Sequence, residues 1–417
     1  MERSFDPSEL SGTVNAPASK SITQRAIAAA LLATGDSIIR NPSYCDDSLA
    51  AMSIAVGLGA RVEPEPGLLR ITGSSELKET KLNCGESGLA IRMFSPVAAL
   101  YRTEITMNGA VTLKRRPMSM ISDALTQLGA ACSTAEGFLP ITIKGPLKGG
   151  RCVIDASVSS QLLTGLLMAL PLAESDSEIK VDNLKSAPYI DMTIDLLKNF
   201  GIEVYNHDYE LFTIPGKQKY KPVDYTVEGD WSGGAFLLVA GAINGHLKVS
   251  GLNYKSLQSD KSIINALDNA GVRISITDQF LEVRASGLTS FDFDATHSPD
   301  LFPPLATLAA YCKGTSKIAG VSRLIHKESN RAEALREEFG KLNIKVEIKD
   351  DLMYISGGSQ PQGGRVESHD DHRIAMAITV TALKASGRVH LRDSQCVAKS
   401  YPDFYRDMKQ LGAIIHE

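Results

Sequence analysis

The chain reads as an α/β protein assembled from six similar units of about 70 residues, arranged as three plus three. Three observations lead there: the total length, a recurring helix-stop phrase, and a second phrase that keeps the same step. The 417 residues are too many for one hydrophobic core, because domains usually hold about 100–200 residues. Hydrophobic residues make up 43% and charged residues 22%, with 34 Gly and 18 Pro. That describes an ordinary globular chain and neither a disordered nor a collagen-like one.

The first phrase is an apolar helical pattern that stops at Gly and gives way to a short β-branched run. The stops are Gly59, Gly129, Gly201, Gly271, Asn343 and Gly412, at steps of 70, 72, 70, 72 and 69 residues. The residue just past a helix end often sits in the left-handed region, which Gly tolerates best and Asn next best. Asn343 is therefore the one substitution the pattern permits. The second phrase is a strand-like run ending at Gly73, Gly145, Gly216, Gly287 and Gly357, at steps of 72, 71, 71 and 70. Together they predict units that run helix, stop, strand, turn, strand, with one further strand and helix in the remaining length. A break near Gly229 gives a first lobe of residues 13–229 and a second of 230–417 plus 1–12. The sixth unit ends one strand after Gly412, so the segment near Leu10–Val14 is expected to supply its missing hairpin partner.

Lys and Arg total 44 against 48 Asp and Glu, a net charge of −4. No global positive field exists of the kind that binds nucleic acid, and any cationic site must be local. The start, Met1 to Pro7, shows no basic-then-apolar leader, and apolar runs such as Ala26–Ala33 fall far short of the roughly 20 residues that span a bilayer. A cytoplasmic protein with no nucleic-acid or membrane partner is expected. Six cysteines (Cys45, Cys84, Cys132, Cys152, Cys312 and Cys396) lack Cys-x-x-Cys spacing and read as reduced, space-filling thiols.

Three helix starts look like anion sites. Ser19-Lys20-Ser21 runs into an Ala-rich helix with Arg25 one turn on, gathering hydroxyl, ammonium and free backbone N–H groups. Ser157-Val158-Ser159-Ser160-Gln161 precedes the apolar Leu162–Leu172, offering neutral donors suited to phosphate. Gly85-Glu86-Ser87-Gly88 is a glycine-rich turn with Arg92 beyond it. For each, simple capping is the plainer alternative. Neither a dinucleotide nor a P-loop glycine motif is present. In the second half, Lys327, Glu328 and Arg331 open an expected helix at ion-pair spacing, for which an exposed pair is the default. His369-Asp370-Asp371-His372-Arg373 invites a metal reading, but no third ligand follows at recognisable spacing, and no metal is expected.

Taken together, these stretches resemble the 5-enolpyruvylshikimate-3-phosphate synthases, the 3-phosphoshikimate 1-carboxyvinyltransferases of the enolpyruvyltransferase family. The match runs from Lys20 to Lys399 and further includes Arg116-Pro117, Ser186-Ala187-Pro188-Tyr189-Ile190-Asp191, Pro299-Asp300 and Pro402-Asp403. The resemblance implies a two-lobed inside-out α/β barrel of six βαβαββ repeats, three per lobe, around parallel internal helices. It also implies transfer of the enolpyruvyl group of phosphoenolpyruvate to the 5-hydroxyl of shikimate 3-phosphate in aromatic amino-acid biosynthesis, with no cofactor, and a monomer is expected.

Residue by residue, the resemblance places Lys20, Ser21, Arg25, Ser159, Ser160, Gln161, Ser186, Asp300 and Lys327 at the shikimate 3-phosphate site. It places Lys20, Gly88, Arg116, Gln161, Arg331, Arg373 and Lys399 at the phosphoenolpyruvate site. Asp300 is the implied base for the 5-hydroxyl. Glu328 is the implied proton carrier for the methylene carbon, with Lys20 as a helper. Because both halves of the chain contribute, closure of the two lobes on the substrates is expected. Glu86, Leu89 and Met93 depart from the family's usual pattern around Gly88, and Arg323 stands where some members have Asn. Two alternatives are an enolpyruvyltransferase acting on UDP-N-acetylglucosamine and a non-catalytic phospho-ligand binder. The first usually has a reactive Cys in the loop matching residues 111–116, and none stands there. Retention of both Asp300 and Glu328 speaks against the second.

Overall fold

The computed structural model describes the backbone of all 417 residues and every side chain except that of Val111. Two compact units result, residues 18–227 and residues 1–17 with 228–417. The crossings at 17/18 and 227/228 differ from the expected 12/13 and 229/230. The cause is the strand Leu10–Asn15, which pairs in parallel with Gly245–Ser250. The Asp230 N–H also donates to the Pro17 carbonyl at 2.7 Å, tying that strand's end to the second unit.

Each unit holds three four-stranded sheets of one plan, a parallel pair followed by two antiparallel neighbours. In residues 18–227 the strand orders are Asp224–Thr226, Asp36–Arg40, Leu68–Thr72, Arg61–Glu65; Lys81–Asn83, Ile105–Asn108, Phe138–Lys144, Ala131–Ala135; and Gly150–Asp155, Ser177–Asp182, Leu211–Ile214, Tyr205–His207. In the other unit they are Leu10–Asn15, Gly245–Ser250, Phe280–Arg284, Arg273–Ile276; Asp292–Asp294, Gly314–Ala319, Leu352–Gly357, Lys345–Lys349; and Gly364–Glu367, Val389–Arg392, Arg3–Asp6, Ile414–His416.

One helix per repeat leads into the second strand of its sheet. These are α1 (Lys20–Leu32), α2 (Gly88–Ala98), α3 (Gln161–Ala169), α4 (Trp231–Asn244), α5 (Phe302–Tyr311) and α6 (His372–Ala382). They are rich in Ala, Leu, Val and Gly with no polar stripe, and almost every residue in them is buried, as an interior helix requires. Packing is close: a Cβ on Gly165 of α3 would lie 2.7 Å from the Arg92 and Met93 carbonyls of α2. The second helix of each repeat lies outside and buries one face, as Pro188–Asn199 and Arg331–Lys341 do.

Both sequence phrases acquire a physical cause. All six helix stops, Asn343 included, have positive φ between 62° and 118°. The strand-end glycines serve a different need. A Cβ on Gly145 would sit 1.9 Å from the Ala99 carbonyl, and Gly73, Gly216 and Gly357 likewise abut backbone beyond an internal helix. Gly287 faces open space, and nothing in the structure explains it.

The expected hairpin partner is corrected. Ile414–His416 pairs with Arg3–Asp6 and not with the segment near Leu10–Val14. The first strand buries Phe5 against Tyr405, ring centroids 5.9 Å apart, and its Asp6 pairs with Arg388 at 2.7 Å. Leu10 and Val14 instead face the core from a parallel strand. Phe5 is 2% exposed in a position that closes the sixth sheet. Phe5→Ala should therefore lower the unfolding free energy by about 3 kcal/mol in urea titration, the usual cost of emptying a core aromatic site; a change under about 1 kcal/mol would contradict this role.

Candidate active site

The starts of α1, α2 and α3 carry neutral caps. Ser19 accepts from the Ile22 N–H at 3.4 Å and Ser87 from the Ala90 N–H at 3.1 Å. Ser160, at the start of α3, is 5% exposed and makes no side-chain cap bond. Its hydroxyl and the first N–H groups of the helix suit an anion. The Ser159 hydroxyl accepts from the Gln161 N–H at 3.2 Å.

Side chains tie these starts together. Ser87 Oγ donates to Gln24 Oε1 at 3.0 Å, and Arg92 donates to Gln161 Oε1 at 3.0 Å. A Cβ on Gly88 would lie 2.5 Å from an Arg116 nitrogen and 3.5 Å from Gln161 Oε1. Gly88, Arg116 and Gln161, expected together, do converge. Arg25 is 1% exposed and donates to Thr193 Oγ1 at 2.9 Å, the Ser21 carbonyl at 3.0 Å and Thr164 Oγ1 at 3.3 Å. All three partners are neutral, and burial pulls the guanidinium pKa down to about 10. A buried cation with neutral partners favours an incoming anion. Lys20 is no surface lysine: its side chain is 13% exposed and pairs with Asp47 at 2.8 Å. Ser186 is buried at positive φ, 59°, one residue before the cap of helix Pro188–Asn199. A left-handed serine is an uncommon conformation concentrated at functional sites.

In the other unit the corresponding positions are acidic. Asp230 caps α4, Asp300 stands in the turn before α5, and Asp371 caps α6. Their steps of 70 and 71 residues are the sequence signal for this set. Asp300 Oδ1 accepts from Lys327 at 3.2 Å and Arg331 at 2.7 Å, and its Oδ2 from Arg373 at 2.9 Å. Arg331 donates onward to Glu328 at 2.5 Å and to Asp371 at 2.8 Å. Lys399 reaches the same turn, donating to the Asp370 carbonyl at 2.5 Å. Asp300, Lys327, Glu328, Arg331, Asp371 and Arg373 thus form one connected group, which Lys399 adjoins through the Asp370 backbone.

The expectation of an exposed Lys327–Glu328–Arg331 pairing on a helix is corrected. The helix starts at Arg331, capped by Asn330, so Lys327 and Glu328 lie in the preceding turn. Arg331 is 1% exposed. Burial, the largest influence on Asp300, would raise its pKa, but Arg373, Lys327 and Arg331 outweigh it and hold the carboxyl well below its usual range. Burial pulls Lys327 below its ordinary value, partly offset by Asp300. Asp260, which the sequence did not single out, accepts from the Ser232 hydroxyl. Burial, then the charge on Asp300, pushes it up to about 6.

The departures also find places. The Glu86 carboxylate accepts from the Thr112 hydroxyl at 2.5 Å, while Leu89 and Met93 pack in the core. Arg323 is within electrostatic reach of Asp300. His369 and His372 do not form a ligand pair, because His369 faces Glu338 at 2.6 Å and His372 is buried in the first turn of α6. Among the described residues, Glu337, Glu338 and His369 are the group close enough to share a metal ion. Lys341 already bonds both glutamates, at 3.0 and 2.8 Å.

The model of the family described as EPSP synthase (3-phosphoshikimate 1-carboxyvinyltransferase) matches residues 5–408. A 3-phosphoshikimate 1-carboxyvinyltransferase of Clostridium kluyveri is 39% identical over 417 residues, 99% of this chain and 98% of its own. That of Clostridium novyi is 37% identical over 423 residues, 99% and 97% of the two chains. Among solved structures, an EPSP synthase from Acinetobacter baumannii shares the fold at TM-score 0.85 and 24% identity, with both chains fully covered. The enolpyruvyl transferase NikO from Streptomyces tendae does so at 0.81 and 19%, covering 100% and 98%. The paired sets of helix starts, one neutral and one acidic, thus stand in a chain that belongs to the EPSP synthase family.

Proposed function

We propose that the protein transfers the enolpyruvyl group of phosphoenolpyruvate to the 5-hydroxyl of shikimate 3-phosphate, releasing phosphate, as a step of aromatic amino-acid biosynthesis. The observation that carries this reading is the Asp300 carboxylate held by Lys327, Arg331 and Arg373, with Glu328 on the same Arg331. Two carboxylates among cations are more than a phosphate binder needs and are what proton transfer beside anionic substrates needs.

Each substrate brings a phosphate and a carboxylate. In residues 18–227, Ser21, Arg25, Ser159, Ser160, Gln161 and Ser186 would take shikimate 3-phosphate, and Lys20, Gly88, Arg116 and Gln161 phosphoenolpyruvate. In the other unit, Asp300 and Lys327 would face shikimate 3-phosphate, and Arg331, Arg373 and Lys399 phosphoenolpyruvate. Charge-assisted hydrogen bonds of this kind are worth roughly 1.5–3 kcal/mol each.

The chemistry is an addition followed by an elimination. Once substrate anions draw Arg331 away and Glu328 has taken up a proton, that proton passes to the methylene carbon of phosphoenolpyruvate, and the neighbouring carbon becomes electrophilic. The 5-hydroxyl oxygen bonds to that carbon while its proton passes to Asp300, giving a tetrahedral intermediate that keeps the phosphate. Phosphate then leaves, taking up the proton held on Asp300, the new methyl group returns a proton to Glu328, and the vinyl ether forms. Lys20 is the second candidate proton donor. A carboxylate gripped by three cations is a poor base. Substrate anions that compete for Arg373, Lys327 and Arg331 would loosen that grip and restore basicity to Asp300 when the hydroxyl is bound. We further propose a cytoplasmic monomer, and the family resemblance implies no metal or organic cofactor.

Phosphate release from phosphoenolpyruvate should occur with shikimate 3-phosphate and not with UDP-N-acetylglucosamine; release only with the latter would shift the reading to the sister activity, and none with either would leave a binding protein. Asp300→Ala should lower kcat by about a thousandfold, as loss of a catalytic base does, while substrate binding by calorimetry persists; near-normal turnover would remove Asp300 from the mechanism.

A further inference from the structure

Seven residues beyond Arg331 on the same helix lies Glu338, whose side chain is fully enclosed. Its Oε2 accepts from the Glu367 backbone N–H at 2.9 Å. Its Oε1 accepts from Lys341 at 2.8 Å and faces His369 Nε2 at 2.6 Å. The hydrogen bond to Glu338, assisted by the charges of Glu338, Glu337 and Glu367, raises the imidazole above its ordinary pKa against the effect of burial. It therefore favours the cationic form and a charge-assisted bond.

His369 and Asp370 are successive residues at positive φ, 53° and 55°. Side chains rarely adopt that conformation once, and two in succession need outside support. The strained turn leads straight into the site. The Asp370 carbonyl receives Lys399, the Asp371 carboxylate receives Arg331, and Arg373 follows two residues later in α6. The Ser368 hydroxyl, on the near side, donates to the Asp393 carbonyl at 3.0 Å. Glu338 thus holds both ends of a short path, through Glu367 before the turn and His369 within it.

We propose that the Glu338–His369 pair is a positioning clasp for phosphoenolpyruvate: it holds the left-handed turn at 369–370 so that Asp370 and Asp371 aim Lys399, Arg331 and Arg373 at the substrate's anionic groups. The inference rests on the functional reading above, and it gives two residues outside the reacting groups a defined role. His369 is the practical probe, because its side chain is 29% exposed and its loss should spare the fold.

The test compares the wild-type protein with His369→Ala and His369→Gln, in steady-state kinetics, thermal unfolding and calorimetric titration with inorganic phosphate. His369→Ala should raise KM for phosphoenolpyruvate about tenfold, the size of one charge-assisted bond, with kcat and KM for shikimate 3-phosphate within about twofold. His369→Gln, whose amide can still donate to Glu338, should recover most of that loss. An unchanged KM for phosphoenolpyruvate in His369→Ala, or equal losses for both substrates that follow the melting temperature, would overturn the clasp. If the wild-type protein shows no turnover, the functional reading fails by itself. Phosphate affinity then decides the clasp, supported by weaker binding to His369→Ala with recovery in His369→Gln and overturned by equal binding.

Discussion

One carboxylate, Asp300, accepts from Lys327, Arg331 and Arg373, and the arrangement of residues 228–417 around it follows from that sharing. The acceptor comes from the turn before α5, two donors from the turn and helix start after the next strand, and the third from the start of α6. Burying a single carboxylate or guanidinium alone would be prohibitive. Burying them together, with Asp371 and Glu328 bonded to Arg331, distributes three positive charges over three negative ones. Such a network adds little net stability, because desolvation offsets much of the attraction. What it contributes is geometry and a lowered proton affinity on Asp300.

The repeat makes this possible. Each copy presents the start of a buried helix, and the chemistry at that start can change without disturbing the sheets. Ser19, Ser87 and Ser160 stand there in residues 18–227, and Asp230, Asp300 and Asp371 in the other unit. Hydroxyls and free N–H groups favour bound phosphate, whereas carboxylates gather cations and move protons. On the proposed mechanism, one scaffold thereby supplies both recognition and chemistry.

The periodic parts of the fold were legible because they answer to backbone sterics. A left-handed residue past a helix needs Gly or Asn, and a strand end pressed against carbonyls cannot carry a Cβ, so both leave marks at fixed steps. The closing strand at Arg3–Asp6 was not legible, since four residues with one apolar side chain give no alternation to read. The burial of Arg331 was hidden for a different reason. Its ion-pair spacing with Glu328 matches an exposed helix face, and only the packing of the α5 and α6 starts against it reveals two further carboxylate partners, Asp300 and Asp371. The cations and carboxylates around Asp300 that the family resemblance pointed to lie together in residues 228–417, while Asp260, Glu338 and His369 depend on tertiary neighbours that no local motif encodes.

On the proposed mechanism, three cations suppress the basicity of Asp300 until substrates compete for them. The direct measurement is a carbon-13 NMR titration of the Asp300 carboxyl, assigned with Asp300→Asn, in the free protein and with both substrates bound. A value well below the ordinary aspartate range is expected in the free protein, with a rise on binding. An ordinary value in the free protein, or no change with substrates, would contradict it.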